Sequence, residues 1–183
     1  LFGGKSHEPG AALAEKLKEI SPFPVGKVFF ACSGSEANDT QVKFAWYAAN
    51  ARGESKRKKI ISCTMGYHGV TLAATSLTGI PSIHKGFDAP FDFAIHADLP
   101  HHYRGAEPGE SEMDYSVRLG ANLEALIERE DPDTIAAMIV EPVMGAGGAI
   151  VPPDGYFDAI TKVLTRHGIP LISDAIITGF GRT

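Results

Sequence analysis

The sequence is poor in cysteine, with only Cys32 and Cys63 among its 183 residues and no C-x-x-C spacing between them. Two lone cysteines suit reduced, buried thiols in a cytoplasmic-type compartment better than a disulfide framework or a zinc site. Long apolar runs are missing too. No uninterrupted stretch is long enough to cross a bilayer, and the N-terminus lacks a charged-then-apolar signal pattern. Positive charge is not in excess: 17 basic residues stand against 22 acidic ones, a formal net charge of -5. This balance points away from nucleic acid and from anionic membrane surfaces as partners. The one basic cluster, Lys56-Arg57-Lys58-Lys59, falls between a helix-like and a strand-like segment and reads as a solvated connection. Internal repeats and low-complexity tracts are absent.

What is present suffices for one substantial core, because 44% of the residues are apolar. Leu13, Leu17 and Ile20 recur at helical spacing, so residues 11 to 20 read as an amphipathic helix. Val28 to Cys32 is a continuous apolar run of the kind found in strands buried on both faces. It leads through Ser33-Gly34-Ser35-Glu36 into an alanine-rich helix reaching about Arg52. The alternation returns with Ile60 to Cys63 before Val70 to Leu77, with Ile135 to Val140 before Gly155 to His167, and with Pro170 to Ser173. It predicts an α/β fold, a mostly parallel sheet with helices on both faces. Asp154 is placed to cap the helix at Gly155, and Gly168 with Pro170 to end it. A further helix covers Glu112 to Arg129, and residues 79 to 111, rich in Pro, Gly and His, read as a long irregular connection.

In open parallel sheets ligands bind beyond the carboxyl ends of the strands. Those positions carry Ser33-Gly34-Ser35, Thr64 to Gly69, Glu141 and Asp174. Two carboxylates at the ends of apolar strands are costly to bury without a polar ligand or a hydrogen-bond network. The Ser33-Gly34-Ser35 turn opens a helix, where free N–H groups and the dipole favour an anion such as phosphate. The same turn also fits a simple capping box from Ser33 to Glu36, which needs no ligand. Tyr67 could stack on a flat ring with His68 bonding to it, or could simply pack under a loop. Gly145 to Gly148 lacks the G-x-G-x-x-G spacing of a dinucleotide site, and the adjacent His101 and His102 read as loop residues without a metal.

Ser33 to Asn38, Tyr67-His68-Gly69, Val140-Glu141-Pro142 and Asp174 through Gly179 to Thr183 together resemble the class III, or omega, aminotransferases of pyridoxal-phosphate fold type I. Cys63 to Gly69, Pro100 to Arg104 and Glu141 to Gly148 are similar to the pyruvate-using omega-amine and 4-aminobutyrate branch. The resemblance spans nearly the whole chain. It implies that Gly34 and Ser35 hold the phosphate of pyridoxal 5'-phosphate, that Tyr67 stacks on the pyridine ring, and that Ile176 presses on its other face. By the same resemblance Asp174 pairs with the pyridinium nitrogen as the catalytic carboxylate, and Glu141 sits in the network beside it.

The implied reaction moves an amino group from an omega-amine or amino acid to a keto acid. A decarboxylase or aminomutase of the same fold, or a non-catalytic phosphate-binding remnant, remains as an alternative. Residues 1 to 183 are expected to be part of a large cofactor-binding domain from a homodimer, with the small domain and the Schiff-base lysine outside it. The family usually has glutamate and then valine after the aspartate, whereas this chain has Ala175 and Ile176.

Overall fold

A computed structural model describes residues 5–183, which divide into a unit ending at Cys32 and a larger one from Ser33 to Thr183. In the first unit helix α1 runs Glu8–Ile20, starting earlier than the apolar spacing predicts. His7 explains the early start: its Nδ1 accepts from the Gly10 N–H at 3.0 Å, and Pro9 sits in the first turn, where a missing N–H costs nothing. The strand expected at Val28 to Cys32 is not formed, and no residue of that run belongs to the sheet. Phe29 and Phe30 are instead exposed, as is Cys32, so only Cys63 meets the expectation of a buried thiol.

The larger unit begins with α2 (Gly34–Ala51), followed by β1 (Lys59–Cys63), α3 (Leu72–Leu77), α4 (Pro81–His84) and β2 (Ala94–Ala97). After these come α5 (His102–Gly105), α6 (Glu112–Glu130), β3 (Ile135–Val140), α7 (Tyr156–Arg166) and β4 (Leu171–Ser173). All strand pairings are parallel, in the order β2-β1-β3-β4. Ile60 and Ile139 face a core closed by Val42 of α2 and Leu77 of α3, while Ile61, Met138 and Val140 face one closed by Leu119, Leu123 and Ile127 of α6 and Ile160 and Leu164 of α7. Helices therefore cover both faces. The alternation slips once, at Ala136 and Ala137, where the β1 and β3 register shifts between Lys59 and Ile60.

Three local readings need correction. The connection 79 to 111 contains β2, which pairs Ile60 to Cys63 with Ala94 to Ala97; two alanines and a histidine in four residues carry little strand signal, and pairing with β1 decides the matter. Asp154 does not cap α7, whose N-cap is Gly155 at φ 80, a left-handed conformation suited to glycine. Asp154 instead accepts from the Ser116 hydroxyl through its carbonyl and donates its N–H to Glu112. The basic cluster is tied down as well: the Arg57 guanidinium donates to the Ile135 and His167 carbonyls, and Lys59 to Glu130.

Strands of parallel sheets are ordinarily buried on both faces, yet Leu171 and Ser173 of β4 are exposed. Beside them Ile176 and Phe180 are 68% and 85% exposed, and Val70 and Leu72 are exposed too. Apolar surface of this extent drives association. The 183-residue chain on its own is predicted to self-associate in sedimentation velocity, and a clean, stable monomer would contradict this.

Candidate active site

The first turn of α2 and the carboxyl ends of β1, β3 and β4 meet around one cavity of about 190 Å3. Gly34, Ser35, Tyr67, His68, Glu141, Asp174 and Ile176, the seven residues singled out from sequence, all border it. Hollows of about 280 and 560 Å3 lie beside α6. Neither gathers the strand-end carboxylates, so size does not pick the site.

Asp174 is 8% exposed, a burial that a carboxylate tolerates only with donors around it. Its Oδ2 accepts from Asn38 Nδ2 at 2.8 Å and lies 2.9 Å from His68 Nδ1, and its Oδ1 accepts from the Ile176 N–H at 3.2 Å. Burial alone would raise this carboxyl, but the hydrogen bonds from His68, Asn38 and Ile176 together hold it below the ordinary carboxylate range. A turn role and a network role thus coexist, one on each oxygen. His68 borders the cavity, but its ring is buried and its Nδ1 faces the Asp174 carboxylate.

Asn38 is the functional residue that sequence reasoning quoted without using. Its Nδ2 donates one hydrogen to Asp174 and the other to the His68 carbonyl at 2.7 Å, so the buried amide is fully used as a donor. The signal was available. Asn38, Val42 and Ala49 form the buried stripe of α2, and an amide in an otherwise apolar stripe calls for a partner. On the adjacent position Asp39 Oδ1 accepts from the Thr71 hydroxyl at 2.7 Å and the Ala74 N–H at 2.9 Å, fixing α3 to α2.

Glu141 has a different job. Its Oε1 accepts from the Tyr67 N–H and its Oε2 from the Gly145 N–H, each at 2.9 Å, so it joins the loops after β1 and β3. Ser33 caps α2 by accepting from the Glu36 N–H at 3.2 Å. Ser35 Oγ accepts from the Val70 N–H at 3.1 Å, which leaves its own proton to donate. Ala175, the departure from the family pattern, is exposed and contributes its carbonyl to the Gly179 N–H at 2.8 Å. The change therefore takes nothing from the contacts of Asp174.

Gly69 is the tightest point of the loop. It sits at φ 128, and a Cβ there would strike the Ser35 side chain and come within 3.0 Å of Ala74 Cβ. Gly69→Ala should cost about 2 kcal/mol or more in chemical unfolding, from strain and clash together; a loss within error would mean that the loop yields. Asp174 gives a pH signature. Because its folded carboxyl lies below 3.8, its contribution is full above that value and is lost as pH falls through the folded value. Asp174→Asn should therefore flatten the acid limb of stability against pH in thermal melts, and an unchanged limb would refute the network's electrostatic role.

The model of the family described as aminotransferase class-III matches residues 1–183. A probable gamma-aminobutyrate transaminase 2, mitochondrial, from Oryza sativa subsp. japonica is 50% identical over 99% of this chain and 37% of its own length. Gamma aminobutyrate transaminase 3, chloroplastic, from Solanum lycopersicum is 49% identical over 99% of this chain and 35% of its own. Among solved structures, the omega transaminase from Pseudomonas jessenii in complex with PMP superposes with a TM-score of 0.98 at 54% identity, covering 100% of this chain and 40% of that one. The PMP-bound aminotransferase from Vibrio fluvialis gives 0.95 at 47%, with the same coverage. The chain thus spans little more than a third of the relatives it matches, with the fold type I transaminase architecture throughout, and it belongs to the class III aminotransferase family.

Proposed function

We propose that this chain forms the cofactor-holding part of a pyridoxal-phosphate-dependent aminotransferase, which moves an amino group from an omega-amine to a keto acid such as pyruvate. One observation carries the reading. Asp174, kept as a carboxylate by His68 and Asn38, faces the same cavity as the first turn of α2.

The residues present fit the cofactor part by part. A phosphate needs donors and close approach, and the N-terminus of the 18-residue α2 offers both, with Gly34 carrying no Cβ and Ser35 keeping a proton to donate. A flat ring needs two walls, and Tyr67 and Ile176 border the cavity. A protonated ring nitrogen needs a fixed anion, which Asp174 supplies. When bound, the cofactor serves as an electron sink for an amine losing its proton.

On this reading Asp174 holds the proton on the ring nitrogen, and Asn38 and His68 hold Asp174. Glu141 holds the backbone of Tyr67, so the aromatic wall is positioned from behind. No lysine borders the cavity among the described residues. The lysine that carries the cofactor would then come from sequence that the longer relatives have and this chain does not contain. The names of the rice and tomato relatives and of the Pseudomonas omega transaminase favour a donor with a terminal amine, such as 4-aminobutyrate. The apolar side chains exposed around β4 support a homodimeric holoenzyme.

Two substitutions in the holoenzyme test the reading. Asp174→Asn preserves shape and removes charge, so the circular dichroism spectrum should stay and the single-turnover rate with a saturating amine should fall about a hundred- to a thousandfold. An unchanged rate would leave Asp174 as a turn residue. Gly34→Val should release cofactor on dialysis, because a Cβ there already comes 3.0 Å from the Ile176 side chain and fills the phosphate approach; full retention would dismiss the phosphate assignment.

A further inference from the structure

His68 also borders a second and much smaller cavity, which Asp174 does not line. It measures about 10 Å3 and is bordered by His68, Glu141, Tyr156, Cys63, Gly66 and Met144 among others. A water needs roughly 10 to 15 Å3 and two to four polar partners. The volume admits one, and the partners follow from the chemistry of the walls.

His68 uses its N–H toward Thr78, its carbonyl toward Asn38 and its Nδ1 toward Asp174. A carboxylate acceptor keeps the proton on Nδ1, and in the neutral ring Nε2 is then an acceptor that needs a donor. Nε2 lies toward Gly66, where a Cβ would come within 3.4 Å of it. Tyr156 and Cys63 are both buried, with hydroxyl and sulfur 3.5 Å apart. Burial pushes the Tyr156 hydroxyl well up and the Cys63 thiol up to about 11, so both keep their protons at neutral pH. If Cys63 donates to Tyr156, the tyrosine proton is left for the cavity. Glu141 has one backbone N–H on each oxygen and a further lone pair on each.

We propose that this cavity binds one ordered water, which accepts from the Tyr156 hydroxyl and donates to His68 Nε2 and to Glu141, making Tyr156 a positioning residue for Asp174. The opposite tautomer would set an Nδ1 lone pair against a carboxylate oxygen, so Asp174 fixes the tautomer and the water, held by Tyr156, satisfies the Nε2 that this leaves as an acceptor. The structural part stands on these residues alone, while its effect on turnover rests on the reading of Asp174 as the cofactor's partner. The bland alternative is that Tyr156 only packs, its ring edge against Phe157 at 5.3 Å between centroids.

The test is Tyr156→Phe in the holoenzyme, which keeps the ring and removes the hydroxyl. A crystal structure that resolves waters should show, in the unsubstituted protein, one water within about 3.2 Å of Tyr156 Oη, His68 Nε2 and a Glu141 oxygen, and the variant should lose it. Nitrogen NMR of His68 should report a proton on Nδ1 in both proteins, and an Nε2 resonance that moves in the variant as its water-borne hydrogen bond is lost. The variant's kcat should fall about five- to tenfold with KM nearly unchanged, the effect of one hydrogen bond passed to a preorganised group. A dry cavity in the unsubstituted protein, or His68 nitrogens unmoved by the substitution, overturns the proposal. Should the variant fail to fold, the unsubstituted protein's water and His68 nitrogens decide alone. Asp174→Asn run in parallel separates the two claims, because its failure to slow turnover sinks the cofactor reading and leaves the water to be judged by diffraction.

Discussion

The buried carboxylate of Asp174 is the constraint on which the site depends. An ionised group at the end of an apolar strand is costly in the absence of donors, and removing one partner exposes that cost. Its two side-chain partners, Asn38 and His68, lie 136 and 106 residues away in sequence. The charge is therefore satisfied only when α2, the loop after β1 and the end of β4 are all in place. Folding and site assembly become the same event, since a displaced α2 or loop would leave a buried charge short of donors.

Helix α2 is held on two adjacent residues with different targets. Asn38 reaches the end of β4 and the loop carbonyl of His68, while Asp39 takes the hydroxyl of Thr71 and the N–H of Ala74 in the first turn of α3. This clamp sets the first turn of α2 against Gly69, where even a methyl group would collide with Ser35. The helix N-terminus is thus rigid where an anion-binding turn has to be rigid. Glu141 performs the corresponding task for the opposite wall by gathering two loop N–H groups.

Much of this was legible because strands buried on both faces are written as uninterrupted apolar runs, and polar residues at their ends stand out. Glu141 after Ile135 to Val140 and Asp174 after Pro170 to Ser173 are of that kind. What failed to show had no local signature. The Ala94 to Ala97 strand exists through its pairing with β1, and Val28 to Cys32 has strand composition but no place in the sheet. Asn38 was hidden for the opposite reason: its partners are remote, and within its own helix it is only a polar residue in an apolar stripe. For His68, sequence shows that a histidine borders the site and not which way each ring nitrogen points; the Nδ1 contact with Asp174 is legible only in the structure.

The walls of the cavity differ in how firmly they are held, and this bears on what each can determine. Asn38, His68, Glu141 and Asp174 are buried and hydrogen-bonded to one another or to backbone. Ile176 and Ile177, which also border the cavity, are exposed. A fixed wall can bind a constant group, because its geometry is preorganised whatever else the site contains. An exposed apolar wall takes its shape from whatever covers it. Under the proposed function, recognition of the cofactor would fall to the buried network and discrimination among amine donors to the side that Ile176 and Ile177 leave open.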